Sequence, residues 1–287
     1  MRRSGRWLAG LLALLLLSCN LSSTPGPLLT TSTPSASAIT PTLPTPTASP
    51  APPPTATPVA DTGWEQLQIG LERRWLRLLA PDSGRLQEQI YLLRLQPEQF
   101  TFDIGYRPGE PLPLSDWQRE REALIVMNGG FFTEKYLATG LVIADGERYG
   151  SSYVGFGGML AITAEGFVEL RSLQRQPYRP DEALQAALQA FPMLITPGGQ
   201  LGYPDEDGNR ARRSVIAQDR QGRILLIATS LGSFTLHELA TFLLASDLDL
   251  DRALNLDGGT STGLLLREPE EGISAFVPLP TVILVSE

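Results

Sequence analysis

The stretch from residue 20 to 62 limits where this chain can build a core. Proline, threonine and serine fill 28 of its 43 positions, and Asp61 is its only charged residue. Such a composition buries too little apolar surface to offset the loss of chain entropy, and its prolines keep the backbone extended. The stretch is therefore predicted to be a disordered linker, which leaves residues 63–287 for a single folded domain.

The first 19 residues are typical of a bacterial lipoprotein signal peptide. Arg2, Arg3 and Arg6 precede an apolar run at 7–17, which is too short to span a bilayer as a helix. The run ends in Leu-Leu-Ser-Cys, which makes Cys19 the predicted lipidation site. An ordinary secretory peptide is the alternative. The protein is accordingly expected to be exported and lipid-anchored to the cell envelope.

Cysteine, histidine and charge content exclude several classes of function. Cys19 is the only cysteine and His237 the only histidine, so no disulfide, thiol nucleophile, Ser-His-Asp triad or zinc centre is expected. The formal net charge is −8 and no basic tract follows the signal, which argues against nucleic-acid binding. We predict neither a metal nor a cofactor, and His237 is expected in helix packing or at the surface.

Hydrophobic periodicity predicts an α+β domain of mixed β-sheets with a few flanking helices. The predicted strands include 100–104 and 223–228, the hairpins lie at 144–147 and 219–222, and the helices span 115–122, 181–190 and 236–246. The last helix is the clearest, because Thr235 and Glu238 before its apolar face have the spacing of a capping box.

Two glycine pairs mark sharp turns at the ends of short apolar runs. One turn reads Asn128-Gly129-Gly130, and the other reads Asp257-Gly258-Gly259 with Ser261 and Thr262 shortly after. Glycine permits positive φ angles and close backbone approach, which such turns need. Polar side chains held at a rigid strand end are well placed for binding and catalysis.

These turns and four further segments give the chain a family resemblance. The anchors are 128–132, Gly140 with Asp145-Gly146, 213–217, 235–240, 255–262 and 280–285. In this order they resemble the phosphodiester glycosidase domain, whose bacterial members are often described as exopolysaccharide-related. The resemblance extends over about residues 64 to 287 and implies an active-site pocket at the two turns.

The resemblance implies catalysis by Asp257, as a general acid, general base or nucleophile at an anomeric carbon. An Asp-Gly turn with a purely structural carboxylate is the alternative. Glu134, two residues beyond the first turn, is the candidate second carboxylate. Asp145 competes for that part or for a substrate contact, although the glycine after it also fits a hairpin turn.

The remaining candidates bind substrate. By resemblance Asn128 belongs to the pocket, where its amide suits a sugar hydroxyl or a phosphate oxygen, and the four turn glycines let substrate approach. Arg213 aligns with an arginine of the family and is expected to bind phosphate, whereas Arg212 is expected to face solvent. Ser261 and Thr262 are expected to donate hydrogen bonds to substrate.

The resemblance thus predicts a lipid-anchored hydrolase that cleaves sugar-1-phosphodiester bonds in envelope or exopolysaccharide glycans. Its partners are a carbohydrate or sugar-phosphate substrate and the membrane. Two alternatives remain open, namely a glycosidase for polysaccharide without phosphate and a glycan-binding module without turnover. The chain departs from the family at Thr260, at Thr229-Ser230 and at 276–278, so the sugar specificity does not carry over.

Overall fold

The structure is a computed structural model and describes residues 59–287. Cys19, the signal peptide and nearly all of the linker lie outside this range. The first strand begins at Val59, four residues before the predicted start of the domain. Within the described range, none of the helices is long and apolar enough to cross a bilayer.

Nineteen strands and two α-helices follow one another along the described chain. The strands are β1 (Val59–Asp61), β2 (Glu65–Gln68), β3 (Leu71–Leu79), β4 (Leu86–Leu95), β5 (Thr101–Tyr106), β6 (Ile125–Asn128), β7 (Val142–Ala144), β8 (Glu147–Tyr149), β9 (Gly158–Thr163), β10 (Val168–Ser172), β11 (Leu184–Ala190), β12 (Met193–Thr196), β13 (Gln200–Leu201), β14 (Ser214–Asp219), β15 (Ile224–Thr229), β16 (Leu250–Asn255), β17 (Leu264–Leu266), β18 (Glu271–Ile273) and β19 (Thr281–Ser286). The helices are α1 (Leu114–Glu120) and α2 (Leu236–Ala245), and short 3-10 helices span Pro97–Gln99 and Gly259–Ser261.

The strands form three sheets. The largest has the order β1-β3-β4-β15-β14-β16-β12-β13, with β2 also paired to β3. The second sheet has the order β10-β9-β11-β7-β8, and the third has the order β18-β17-β6-β19-β5. All three contribute to one central core, in which Leu93, Leu188 and Ile283 are fully or almost fully buried. Because this core is shared, strand ends from different sheets meet at its rim.

The helices cover outer faces of the sheets. Leu239 and Leu243 of α2 pack on the largest sheet, and Trp117 of α1 packs on the third. The capping box of α2 is confirmed, since the Thr235 hydroxyl accepts from the Glu238 amide and the Glu238 carboxylate accepts from the Thr235 amide. Local side-chain chemistry therefore fixes where this helix begins.

The α+β prediction is confirmed only in part. Strands account for 44% of the described residues and helices for 10%, so the domain is mostly β. Every strand pair within residues 59–287 is antiparallel, so the expected mixed sheets are not found. The predicted strands at 100–104 and 223–228 correspond to β5 and β15, and both predicted hairpins are present.

The predicted helix at 181–190 is wrong, because that segment forms β11 in the middle of the second sheet. Its alanines, leucines and glutamines favour a helix when they are considered alone. In the fold, however, Ala186 and Leu188 face the central core and Ala187 faces the opposite cluster. Burial on both faces and pairing to β7 and β9 outweigh the intrinsic preference.

Candidate active site

The two glycine turns lie against each other, although they end strands of different sheets. Asn128 is the last residue of β6 in the third sheet, and Asp257 follows β16 in the largest sheet. The Asp257 amide donates to the Gly129 carbonyl oxygen at 3.1 Å. The Asn128 side-chain nitrogen donates to the Asp257 carbonyl oxygen at 2.7 Å. The fold thus brings together the two motifs that the sequence identified.

Asn128 uses its whole amide to hold this junction. Its oxygen accepts from the Ser214 hydroxyl at 2.6 Å and from the Gly263 amide at 3.0 Å. Its nitrogen donates to the carbonyl oxygens of Gly129 and Asp257. An amide offers two donors and two acceptor lone pairs, so none is left for substrate. We therefore place Asn128 beneath the site as a positioning residue and not as the substrate contact that was expected.

The glycines of the turns pack mainly against protein backbone. A Cβ added to Gly130 would lie 2.6 Å from the Gln189 carbonyl oxygen, and one added to Gly258 would lie 2.8 Å from the Arg212 carbonyl oxygen. Gly259 differs, because its φ is +61° and the space around it is open. Of these glycines, Gly259 is the one that a ligand can approach.

Asp257 provides a partly buried carboxylate at the junction. Its Oδ1 accepts from the Gly258 amide at 2.9 Å. Burial raises the pKa of this carboxyl above its ordinary value, while hydrogen bonds from Ser261 and from the Gly258 amide partly oppose the shift. No charged side chain contributes to this shift, so Asp257 is an isolated acid in a low-dielectric setting.

Arg212 lies beside the second turn, and the prediction that it faces solvent is wrong. Its side chain is buried, and only 8% of the residue is exposed. Its Nη2 donates to the Ser274 carbonyl oxygen at 2.8 Å, and its guanidinium lies 4.1 Å from the centre of the Phe276 ring. Its Nε and Nη1 are buried without a hydrogen-bond partner. Burial lowers the pKa of Arg212, and the charge of Glu88, which is not within ion-pair distance, opposes this shift only in part.

Arg213 also lies beside the second turn, but its guanidinium makes different contacts from that of Arg212. Its Cδ is 4.0 Å from the position that a Cβ would occupy on Gly258. Its guanidinium donates to the carbonyl oxygens of Phe234 and Asn209, and burial lowers its pKa. Within residues 59–287, the nearby Arg210 forms an ion pair with Glu238, whereas neither Arg212 nor Arg213 has a carboxylate within 4.0 Å.

Unpaired polar atoms are concentrated around these turns. Seven buried side-chain nitrogen or oxygen atoms within residues 59–287 have no hydrogen-bond partner, and five of them belong to residues at or beside the turns. The five atoms are Arg212 Nε and Nη1, Asn255 Oδ1, Thr262 Oγ1 and Thr281 Oγ1. Buried polar groups are nearly always paired in folded proteins, so such a concentration indicates a place where a polar ligand binds.

Within the described residues, neither Glu134 nor Asp145 forms a hydrogen bond or an ion pair with the two turns. Glu134 is exposed at the tip of a short hairpin, where the Thr133 amide donates to the Leu137 carbonyl oxygen at 2.8 Å. Asp145 has a φ of 50° in the turn between β7 and β8, and its carboxylate pairs with Arg121 at 2.9 Å. The hairpin interpretation of Asp145 is confirmed, and of the three predicted carboxylates only that of Asp257 lies at the junction.

The described part of the chain contains no cluster of three or more His, Cys, Asp or Glu side chains that could hold a metal ion. His237 lies in the first turn of α2, and its Nδ1 is 3.1 Å from the Tyr203 carbonyl oxygen. This position agrees with the expected packing role.

The sequence profile of the phosphodiester glycosidase family matches residues 121–286. The chain belongs to the phosphodiester glycosidase family. The match begins directly after α1 and includes both turns, Arg212 and Arg213, so the resemblance carried by the six anchors is confirmed. Comparison with curated protein sequences finds no match.

Solved structures of similar fold agree with this membership. The catalytic domain of zebrafish N-acetylglucosamine-1-phosphodiester alpha-N-acetylglucosaminidase, auto-inhibited by its pro-peptide, has a TM-score of 0.63 and 15% identity over 81% of this chain and 89% of that one. A hypothetical protein from Synechocystis has a TM-score of 0.56 and 18% identity over 80% and 64% of the two chains. A putative exported protein from Burkholderia pseudomallei has a TM-score of 0.59 and 10% identity over 82% and 97%. At these identities the likeness concerns the fold.

Sequence reasoning missed the burial of Arg212 beside the second turn. Arg212 and Arg213 are consecutive at the entrance to β14, where alternation assigns one side chain to each face. The sequence does not indicate that other residues cover both faces of the strand at Arg212 and Arg213. Phe276, which covers Arg212, comes from a loop 64 positions further along the chain.

Proposed function

We propose that this protein hydrolyses the bond between the anomeric carbon of a sugar and a phosphodiester, in glycans of the cell envelope or in exopolysaccharide. The observation that carries the proposal is that the second turn holds one isolated carboxylate, Asp257, and is flanked by two arginines that have no carboxylate within 4.0 Å in the described residues. The zebrafish enzyme of similar fold is named for such a phosphodiester substrate. Family membership supports the general class, a phosphodiester glycosidase.

A single carboxylate is sufficient if the leaving group is already an anion. A neutral glycoside leaves as an alkoxide, so glycosidases usually supply a general acid in addition to a base or nucleophile. A phosphate monoester has a second pKa of about 6 and leaves without being protonated by the enzyme. The absence of a second carboxylate in contact with Asp257, within the described residues, therefore favours the phosphodiester over an ordinary glycoside.

In the proposed reaction Asp257 acts as a general base and the two arginines bind the phosphate. Asp257 takes a proton from a water molecule as that water attacks the anomeric carbon. The bond from this carbon to the phosphate oxygen breaks, and its electron pair stays with the phosphate monoester. Arg212 and Arg213 stabilise the charge that develops on the departing phosphate. The raised pKa of Asp257 makes its carboxylate a stronger base than an exposed aspartate. Products are the free sugar, the phosphate monoester and a proton returned to solvent.

We further propose the location predicted from the N-terminus. Lipid attached to Cys19 would anchor the chain to the cell envelope, and the extended linker would hold the catalytic domain away from the membrane surface. Glycans of the envelope or exopolysaccharide would then lie within reach. Labelling with a radioactive or alkyne-tagged fatty acid in cells, compared with Cys19→Ser, tests this assignment.

The reaction is tested with the purified full-length protein and a panel of sugar-1-phosphodiesters that includes the N-acetylglucosamine compound. Free sugar is measured for the parent, for Asp257→Asn and for the matched control Asp145→Asn. We expect release by the parent and the control and about 10²- to 10⁴-fold slower release by Asp257→Asn. Equal rates for all three proteins would remove Asp257 from the mechanism.

Two results would support the alternatives. Faster hydrolysis of neutral glycosides than of phosphodiesters would indicate an ordinary glycosidase. Glycan binding without hydrolysis of any substrate would indicate a binding module. NMR of the first product formed distinguishes base from nucleophile, since direct attack by water inverts the anomeric configuration and a covalent intermediate retains it.

A further inference from the structure

Four aromatic rings form a cluster beside the glycine turns, outside the machinery described above. They belong to Phe131, Tyr153, Phe156 and Phe191, which we call the aromatic cluster. Phe131 and Phe191 have ring centres 4.5 Å apart, and Tyr153 stacks on Phe156 at 4.9 Å. Phe191 also meets Tyr153 and Phe156 edge to face, at 5.4 and 5.7 Å.

Much of this cluster is exposed. Phe156 is 49% exposed and Phe191 is 37% exposed, and the adjacent Val154 is 86% exposed. Core aromatics of the same domain, such as Phe102, are almost completely buried. Large apolar side chains that remain together at a surface, instead of scattered singly, mark a binding site.

The cluster is continuous with the candidate active site. Phe131 directly follows Gly130 of the first turn, and the Phe191 carbonyl oxygen accepts from the Asn255 side chain at 2.9 Å. Asn255 ends the strand that leads to Asp257, and its own Oδ1 is buried without a partner. A ligand that reaches Asp257 can therefore extend over the aromatic rings.

The segment that carries Tyr153 and Phe156 is held in place by polar contacts. The Tyr153 amide donates to the Gln189 side-chain oxygen at 2.8 Å, and the Gln189 side-chain nitrogen donates to the Ser152 hydroxyl at 2.9 Å. The Tyr153 hydroxyl lies 2.8 Å from the Thr139 hydroxyl. These contacts preorganise the rings and surround them with hydroxyl groups.

The chemistry of this surface matches an uncharged sugar. No charged residue occurs between residues 149 and 164, although the whole chain has a formal charge of −8. A pyranose ring presents an apolar face of C–H groups that stacks on an aromatic ring and a rim of hydroxyls that hydrogen-bond to Ser, Thr and Tyr. This segment offers no cation to a phosphate or an acidic peptide.

We propose that the aromatic cluster is a subsite for a neutral sugar ring next to the cleaved unit. The substrate is then an oligosaccharide or polysaccharide in which the cleaved sugar is linked to further sugars, and not a lone sugar phosphodiester. The expected effect on KM rests on the proposed function. The binding of glycan to the cluster, in contrast, can be measured without any hydrolysis.

The test compares Phe156→Ala with the matched control Phe167→Ala in the full-length protein. Phe167 is 67% exposed and lies outside the cluster. We expect Phe156→Ala to raise KM for a phosphodiester of an oligosaccharide about 2- to 10-fold, from the loss of one ring contact. Its KM for a minimal sugar-1-phosphodiester should not change, and Phe156→Trp should restore affinity for the longer substrate.

A second measurement separates the subsite from the proposed reaction. Titration calorimetry follows the binding of neutral oligosaccharides to the parent and to both alanine variants. Binding that is weakened only by Phe156→Ala supports the subsite even if no substrate is hydrolysed, which would overturn the proposed reaction alone. Equal behaviour of both variants, or no binding of any neutral glycan by the parent, overturns the subsite. So does a change of oligomeric state on Phe156→Ala in analytical ultracentrifugation, which would assign the rings to contacts between copies.

Discussion

The side-chain nitrogen of Asn128 lies 2.7 Å from the carbonyl oxygen of Asp257. These residues are 129 positions apart in sequence, and their strands belong to different sheets. One buried amide therefore helps to fix the position of Asp257, the catalytic candidate. This contact explains why Asn128, which was expected to bind substrate, is buried beneath the site.

Replacement of Asn128 with alanine leaves the Ser214 hydroxyl, the Gly263 amide and the Asp257 carbonyl without their partner. We expect the free energy of unfolding to fall by about 2–4 kcal/mol, because each buried group that loses its partner keeps its desolvation cost. Urea denaturation measures the loss. Asn209→Ala, in an exposed loop, serves as the control and should change stability by less than about 0.5 kcal/mol. Equal stability of the two variants would contradict the assigned role.

Replacement of Ser261 with alanine removes a hydrogen bond that lowers the pKa of Asp257. The carboxyl then titrates at higher pH than in the parent, so the acid limb of the kcat/KM profile should move upward. The profile is measured with a sugar-1-phosphodiester. The neighbouring Thr260→Ala is the control, because Thr260 is exposed and contributes nothing to this shift. A limb that moves to lower pH, or moves equally in both variants, would contradict the prediction.

Asp257→Asn should change stability in a pH-dependent way. The folded protein binds the Asp257 proton more tightly than the unfolded chain does, since burial raises the folded-state pKa above 3.8. The contribution of Asp257 to the free energy of unfolding of the parent therefore falls as pH rises from the pKa of Asp257 in the unfolded chain through its raised pKa in the folded protein. Relative to the parent, Asp257→Asn should gain free energy of unfolding over this interval. Denaturation at about pH 4 and about pH 8 measures the gain, and a difference independent of pH would refute the prediction.

Replacement of Arg212 with glutamine removes a cation that has no carboxylate partner in the described fold. We expect kcat/KM for phosphodiesters to fall about 10²-fold, in the range seen when one donor to a developing anion is lost. Rates on neutral aryl glycosides should change much less. Arg210→Gln is the matched control, because Arg210 is exposed and already paired with Glu238. Equal losses on charged and neutral substrates would argue against a phosphate contact.

Replacement of Asp61 with asparagine tests where the folded domain begins. Asp61 forms an ion pair with the buried Arg74, which holds the pKa of Asp61 below its ordinary value. Because the pKa of Asp61 is lower in the folded protein than in the unfolded chain, the ion pair stabilises the fold at pH values above the unfolded-state pKa. This contribution is lost as the pH falls through the folded-state pKa. We expect a loss of about 1 kcal/mol near neutral pH and less in acid.

The control for Asp61 is Glu65→Gln, which alters a more exposed pair with Arg73 on the neighbouring strand. It should cost less than about 0.5 kcal/mol. If Asp61→Asn were as stable as the control, β1 would contribute little and the domain would begin near the predicted Gly63.

Features that depend on close neighbours in the chain were predictable. The capping box of α2 needs only Thr235 and Glu238, and the hairpin at Asp145 needs only its own glycine. β11 shows the opposite case, because its composition favours a helix and only burial between two clusters makes it a strand. The same holds for the candidate site, because the sequence predicted both glycine turns but not the burial of Arg212.

The sequence by itself determined the two turns, the cap and the family, because these depend on residue type and short spacing. The tertiary structure decided which side chains of those motifs remain free. It committed the Asn128 amide to four internal hydrogen bonds, left Asp257 as the one predicted carboxylate at the junction, and buried Arg212 beneath Phe276. Each outcome depends on groups that are brought together from strands and loops distant in the chain. Burial of these groups at their junction shifts the pKa values of Asp257 and Arg212.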